Sequence, residues 1–398
     1  MPYYSYRGVN QLGDPVAGVL EASDEEAARS SVRSRGYRID RISRVSRLKL
    51  TLSPGVSALD IAVMCRQLYA VINSDIPLTD GMIMLEEQTG NMRLRLAMHS
   101  MYESLSSGKT LSEAMQRHTD VFPSYLIHMV GVGEDSGSLD VVFSQMADYY
   151  EKENEIRHKM RTATLYPSML TVLMIWVIGL LVVRIMPMFE SMLTSMGGEL
   201  PAITRGLLAL SDFVVRYVLI LAMALAVLVV LFIWFSGTRR GRYLIDYLKV
   251  HLPGIGAFFS RVVTARFARS LAILLESGVP MALALSRMDN LIGNAWVERR
   301  LEKSREQVAS GQTLASSIRG IGVFMPMLLR MLVVGERTGR TGKMLMKSAG
   351  FYDDEVDRTL RRLTTIIEPV LIFVLSVIVG IILLSVMMPL INIMSVIG

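Results

Sequence analysis

The amino-acid sequence repeats itself after about 200 residues, and this duplication limits the possible folds more than any other feature. Residues 107–111 (SGKTL) match residues 310–314 (SGQTL) at an offset of 203, and residues 132–137 (VGEDSG) match residues 334–339 (VGERTG) at 202. The same register relates three pairs of prolines: Pro77 with Pro280, Pro123 with Pro326, and Pro167 with Pro369. One deletion explains the change of offset. The chain therefore contains two copies of one structural unit.

Three apolar segments are long enough to cross a bilayer: residues 168–189, 213–235 and 369–394. A spanning helix needs about 20 apolar residues. Hydrophobic residues make up 51% of the chain, more than in ordinary soluble domains, whereas a charged share of 20% leaves room for large polar regions. Lysines and arginines favour the cytoplasmic side, and they precede the first and third segments and follow the second. We therefore predict a cytoplasmic N-terminus and a periplasmic C-terminus. The basic residues on the cytoplasmic side account for the net charge of +6, so no nucleic-acid partner is needed to explain it.

The duplication and the spans together predict the order of the domains. Each repeated unit is a polar helical region followed by one span that leaves the cytoplasm. Both units can start in the cytoplasm only if the second span, which lies between them, brings the chain back across the membrane. The predicted domains are an N-terminal module (1–45), a linker (46–57), a first cytoplasmic helical bundle (58–167), a first transmembrane helix (168–189), a periplasmic loop (190–212), a second transmembrane helix (213–235), a second cytoplasmic bundle (236–368) and a third transmembrane helix (369–394).

Hydrophobic periodicity predicts that both units are helical. In the first unit, apolar residues such as Ile61, Met64 and Leu68 recur at helical spacing, and five turn signals divide the unit into six helices. A different pattern precedes it: short strands at 3–9, 16–22 and 37–45, with a helix at 24–35. The predicted fold class is an all-α membrane protein with two duplicated six-helix cytoplasmic bundles, three transmembrane helices and a small N-terminal β-β-α-β module.

No catalytic, cofactor-binding or metal-binding site can be assembled from the sequence. A single cysteine, Cys65, argues against a disulfide framework and a cysteine-based zinc site. Two segments resemble phosphate-binding loops, but SGKT at 107–110 has Glu103 where a glycine is required, and GRTGK at 339–343 is followed by Met344 instead of Ser or Thr. We therefore predict that the protein is not an enzyme and that it uses no cofactor.

One acidic cluster needs separate consideration. It consists of Glu151, Glu153 and Glu155. These carboxylates could attract a cation, but a hard-cation site requires several converging oxygens. We expect a solvated helix face instead.

The repeated prolines, glycines and glutamates are the candidate positions for a structural role or for contact with a partner. They are Pro77, Gly108, Pro123, Gly133, Glu134, Gly137 and Pro167 in the first unit, and Pro280, Gly311, Pro326, Gly335, Glu336, Gly339 and Pro369 in the second. For the Gly-Glu-x-x-Gly element two interpretations remain open. It forms a tight turn with a helix cap, or its glutamate contacts a partner or a basic residue of the bundle.

Two further features lie at the membrane. Pro167 and Pro369 stand where the last helix of each unit enters the bilayer, and a proline there is expected to break or kink the helix. Arg184 lies inside the first span. Its side chain either extends to the outer headgroups or has a functional role at depth.

Taken in order, these motifs resemble one known family. The N-terminal YSYRG strand, the two helical units, the SG[KQ]TL turn, the GExxG element, and the Tyr-Pro and Glu-Pro pairs before the spans are similar to the F-family inner-membrane platform proteins of bacterial type II secretion and type IV pilus assembly. The resemblance covers essentially the whole chain. It implies a non-enzymatic scaffold of the bacterial inner membrane. The implied partners are a cytoplasmic assembly ATPase, pilin or pseudopilin subunits, other inner-membrane assembly proteins and the lipid bilayer.

Other classes of function make different demands on the sequence. An oligomeric transporter or channel would place polar groups at the middle of the bilayer, and among the charged residues only Arg184 lies well inside a span. A membrane-bound enzyme would need the nucleotide loops that fail here. The three spans and 28 methionines favour self-association, so we expect a homo-oligomer.

Overall fold

The computed structural model describes residues 2–9, 15–34, 36–45, 55–185, 187–188, 191, 202–288 and 291–397. The chain forms two compact units, and each unit contains parts of both repeats. The first unit comprises Met1–Arg157, Ala265–Ile292 and Leu301–Ala349. The second comprises His158–Thr264, Gly293–Arg300 and Gly350–Gly398.

The N-terminal module is the predicted β-β-α-β arrangement. Strands β1 (Tyr3–Val9), β2 (Pro15–Glu21) and β3 (Arg38–Val45) form an antiparallel sheet in the order β2-β1-β3, with helix α1 (Glu25–Ser34) between β2 and β3. The predicted turn between β1 and β2 lies outside the described residues. The cap of α1 is Asp24, whose Oδ1 accepts the N–H of Ala27 at 2.7 Å.

Each repeat contributes six helices, which confirms the predicted duplication. The first repeat contains α2 (Ala58–Asn73), α3 (Leu78–Gln88), α4 (Met92–Ser106), α5 (Leu111–Gln116), α6 (Ser124–Ser136) and α7 (Leu139–Leu180). The second contains α10 (Gly256–Glu276), α11 (Met281–Ser286), α12 (Ala295–Ala309), α13 (Leu314–Arg319), α14 (Pro326–Thr338) and α15 (Thr341–Ile397). Helices α8 (Ala202–Gly237) and α9 (Arg239–His251) lie between the repeats.

Local sequence explains where these helices begin and which faces they bury. Ser57 caps α2 and Thr110 caps α5, each in a reciprocal capping box with an acidic residue three positions later. The periodic residues Met64 and Leu68 of α2 are fully buried. Burial of each such side chain contributes roughly 1.5–3 kcal/mol to folding.

The structure corrects the pairing of two prolines. Helices α6 and α14 both have 13 residues and correspond at an offset of 202. Pro123 therefore occupies the cap position before α6, whereas Pro326 is the first residue of α14. The match of Pro123 with Pro326 is wrong by one residue, because the turn before these helices absorbs the deletion.

Two helices are long and apolar enough to cross a membrane, and a bent pair would supply a third span. The first runs from Leu139 to Ile185 and ends in the π-helical segment Leu181–Ile185, which contains Arg184. The second is the part of α15 from Thr341 to Leu384. The bent pair joins Ala222–Gly237 to Arg239–His251 at an angle of 95°.

Of the break or kink expected at Pro167 and Pro369, the break does not occur. Pro167 lies inside α7 and Pro369 inside α15, and both helices continue beyond them. A proline removes one hydrogen bond to the preceding turn. Next to the two prolines the Tyr166 hydroxyl donates to Glu368 Oε1 at 3.1 Å, a contact between α7 and α15.

Candidate functional site

The two motifs of the first repeat, SGKTL and GExxG, lie in contact with each other. Glu134, on α6, accepts the backbone N–H of Leu111 with one carboxylate oxygen and the N–H of Ser112 with the other, the latter at 2.9 Å. These amides belong to the first turn of α5, where a helix leaves N–H groups without partners inside the helix. The glutamate of GExxG therefore caps the helix that begins in SGKTL.

The second repeat shows the same contact. Glu336 Oε1 accepts the backbone N–H of Leu314 at 2.5 Å, and Leu314 is the first residue of α13. A negative charge at the start of a helix is favourable because it satisfies free amides and opposes the helix dipole. The duplicated glutamates thus contact backbone amides rather than basic side chains.

The glycines around these glutamates have two separate roles. Gly137 and Gly339 end α6 and α14 in the left-handed region, with φ of +67° and +66°, a conformation that suits glycine. Gly133 permits close packing, since a Cβ there would lie 2.9 Å from Val142 Cγ2. Gly335 does the same next to the Cα of Thr341, at 2.8 Å.

The other repeated positions are at turns before helices. Gly108 and Gly311 have φ of +81° and +92° in the turns that precede α5 and α13. Pro77 and Pro280 occupy the cap positions of α3 and α11. The segments that resemble phosphate-binding loops are therefore turns between helices, not turns between a strand and a helix.

The two repeats contact each other within the first unit through a buried ion pair. Arg266 of α10 donates to both carboxylate oxygens of Glu153 on α7, at 2.7 and 3.0 Å. The side chains are 17% and 9% exposed. Glu153 also accepts from Arg157 at 2.8 Å. This bidentate pair joins the first and second repeats.

The expectation of a solvated acidic face holds for the exposed side chains of Glu151 and Glu155 and is wrong for Glu153, which is buried. Glu151 pairs with Arg66 at 2.8 Å, and Glu155 pairs with Lys152 at 2.7 Å. Arg66 and Arg266 come from other helices that pack against α7, whereas Lys152 and Arg157 lie on α7 itself. No group of His, Cys, Asp or Glu among the described residues is arranged to hold a metal ion.

Aromatic side chains surround the ion pair. The Tyr125 hydroxyl donates to the Ser270 carbonyl at 3.3 Å, and its ring lies edge-on to Tyr149 with centroids 5.2 Å apart. Burial raises the pKa of Tyr125 and of Tyr149, although a hydrogen bond with Ser270 opposes the shift at Tyr149. Burial also lowers the pKa of the Arg269 guanidinium beside them. Tyr125, Tyr149 and Arg269 are therefore buried in the contact between the repeats.

Several of these residues were missed by the reasoning from sequence. Arg269 corresponds to Arg66 at the offset of 203, so a repeated arginine was the available signal. The buried pair of His99 Nδ1 and Glu86 Oε2, 3.1 Å apart, carried no motif at all. Cys65 is fully buried, and burial raises the pKa of its thiol.

A cleft of about 420 Å³ also lies between the repeats. The first repeat lines it mainly from α6, including Ile127 and His128. The second repeat lines it with Leu274, Leu283 and Arg287. Arg287 donates to His128 Nε2 across the cleft.

Comparison with known proteins gives whole-chain matches. The family described as "Type II secretion system (T2SS), protein F" matches residues 64–187 and again 267–389, and its N-terminal domain family matches residues 1–43. The chain is 35% identical to the type IV pilus assembly protein PilC of Thermus thermophilus, over 99% of each chain. It is 31% identical to PilC of Myxococcus xanthus, over 97% of this chain and 94% of the relative. It is 28% identical to the type II secretion system protein F of Vibrio cholerae, over 99% and 100%.

Proposed function

The chain belongs to the type II secretion system protein F family, and on this basis we propose that it is a non-enzymatic platform of the bacterial inner membrane. It couples a cytoplasmic assembly ATPase to the insertion of pilin or pseudopilin subunits into a growing fibre. The names of the relatives support a role in pilus assembly or type II secretion.

The continuity of α7 is the observation that carries the coupling role. This helix runs without interruption from Leu139 to Leu180, and its first part holds Glu153 in the ion pair with the second repeat. Its later part is apolar enough to cross a bilayer. We infer that a load applied to the cytoplasmic repeats reaches the membrane along this continuous helix.

Contacts near the membrane connect α7 to α15 in the second unit. Lys159 pairs with Asp357, and Tyr166 pairs with Glu368 seven residues further along α7. Met160 also packs against the apolar cluster of Phe258, Val262 and Val356. The last helices of the two repeats therefore approach the membrane together.

The proposed topology places both repeats in the cytoplasm, with three spans and a periplasmic C-terminus. Reporter fusions at Lys109 and Gln312 test it, because these residues lie in corresponding turns of the two repeats. We expect both reporters to be active only in the cytoplasm. Activity in opposite compartments would contradict the arrangement.

Interruption of α7 tests the coupling role. Thr162 is exposed on α7 between the repeat contact and the apolar part. In a strain that lacks the chromosomal copy, Thr162→Pro is expected to abolish fibre assembly or secretion while the protein still accumulates in the membrane. Thr162→Ala is the matched control and should support normal assembly. Normal assembly by Thr162→Pro would remove α7 from the coupling path.

A further inference from the structure

The contact between the two repeats uses a groove on one repeat and a ridge on the other. We define the first groove as five of the ten first-repeat residues that line the 420 Å³ cleft, one on α5 and four on α6: Gln116, Ser124, Ile127, His128 and Gly131. The other five are Ser112, Glu113, Thr119, Val132 and Asp135. We define the second ridge as the residues of the second repeat that close this cleft: Leu274, Val279, Leu283 and Arg287.

The duplication provides the chain with a second groove. A cleft of about 400 Å³ on the second repeat is lined by Arg319, Pro326, Leu329, Arg330 and Val333. At offsets of 203 for α13 and 202 for α14, these five residues correspond one by one to the five residues of the first groove. The second groove is thus the corresponding surface of the second repeat, and all the described residues that line it belong to that repeat.

The duplication also provides a first ridge. Subtracting 203 from the second ridge gives Val71, Ile76, Asp80 and Met84 on α2, α3 and the turn between them. Asp80 is exposed and Met84 is 48% exposed. Beside the second groove, Val334 is 47% exposed, although its counterpart Val132 lines the closed cleft. Apolar side chains of both surfaces are therefore left in water.

The charges of the two free surfaces are complementary. The second groove carries Arg319 and Arg330, and the neighbouring Arg337 is also exposed. The first ridge carries Asp80, with Asp75 exposed in the adjoining turn. Groove and ridge thus differ in sign, and charge complementarity of this kind selects partners.

The closed contact has the opposite assignment of charge. There the groove side carries the acidic residues Glu113 and Asp135, whereas the ridge side carries Arg287. Asp135 corresponds to Arg337 at the offset of 202. A first groove facing a first ridge would bring acid against acid, and a second groove facing a second ridge would bring base against base. Each groove is matched only by the ridge of the other repeat.

We propose that the second groove of one copy receives the first ridge of a second copy of this chain. The copies then associate head to tail through the contact that the repeats already make within one chain. Arg330 takes the place of His128, and Asp80 and Met84 take the places of Leu283 and Arg287. The inference does not depend on the platform role, since association is measured without any fibre.

Charge reversal on the full-length protein in lipid nanodiscs or mild detergent tests this contact. Arg330→Glu and Asp80→Arg are each expected to raise the dissociation constant for self-association at least about tenfold, because each opposes like charges. The combination of both should restore association to within about threefold. Lys303→Glu is the matched control, an exposed reversal on α12 outside both surfaces, and should change nothing.

Crosslinking identifies the partner surface. Two differently tagged copies, one with Met84→Cys and the other with Arg330→Cys, should form a disulfide-linked pair under mild oxidation. Replacing Arg330→Cys by Lys303→Cys should abolish the pair. The proposal is overturned if the wild type is monomeric, if the double reversal fails to restore association, or if the Lys303 pair crosslinks equally. It is also overturned if Arg330→Glu blocks fibre assembly without weakening self-association, since the groove then serves another acidic partner.

Discussion

Removal of the Glu134 carboxylate should loosen the start of α5 in the first repeat only. Glu134 accepts the N–H groups of Leu111 and Ser112, and Glu336 accepts that of Leu314 in the second repeat. A hydrogen bond to a charged group contributes about 1.5–3 kcal/mol, and water replaces part of it when the amide lies near the surface. We therefore expect Glu134→Ala to destabilise this first turn by about 2 kcal/mol, which corresponds to about 30-fold in the local opening equilibrium.

Hydrogen–deuterium exchange of the full-length protein measures this effect directly. Amides in a peptide covering α5 (Leu111–Gln116) should exchange about 30-fold faster in Glu134→Ala, whereas a peptide covering α13 (Leu314–Arg319) should not change. Glu336→Ala should give the reciprocal result, so each repeat is the control for the other. Glu134→Gln keeps an acceptor oxygen and should lie between the two. A change below about threefold, or equal changes in both peptides, would refute the capping role.

Three further results are expected. Arg266→Gln leaves the Glu153 carboxylate buried without its bidentate partner and should cost about 3 kcal/mol, whereas Arg266→Gln with Glu153→Gln should recover most of that loss in a double-mutant cycle of thermal unfolding. Gly137→Ala places a Cβ at φ of +67° and should lower the unfolding free energy by about 1 kcal/mol in the same assay. Burial raises the pKa of Tyr125 in the folded state. The neutral phenol therefore contributes its full stability below the unfolded pKa of about 10, and this contribution is lost as the pH rises above that value. Tyr125→Phe should reduce the loss of stability at alkaline pH, measured as unfolding temperatures over a pH series.

The elements of the fold could be predicted because their signals are local or periodic. A stripe such as Met64 and Leu68 defines a helix within its own segment, and an apolar run defines a span by its length alone. The duplication supported these assignments, since the same order of helices and the same apolar segment had to appear in both repeats. The continuation of α7 and α15 past Pro167 and Pro369 was not predicted, because helix propensity describes an isolated helix, whereas other groups of a folded chain replace the hydrogen bond that a proline removes.

The roles of the motif residues depended on distances that no local pattern records. The sequence left two interpretations of Glu134 open: a tight turn with a helix cap, or contact with a partner or a basic residue of the bundle. Only the folded bundle brings it to the amides of α5, 22 residues away from Ser112. Glu153 was misread for the same reason, because nothing near it along the chain shows that Arg266 will cover it.

By itself the sequence determined two helical copies, a small sheet before them, and apolar segments that suit a membrane. The tertiary structure decided which face of each copy is covered and which remains open. The physical reason is that helix periodicity defines a face, but its partner is set by packing between distant segments, as for Glu153 and Arg266, which are separated by 113 positions.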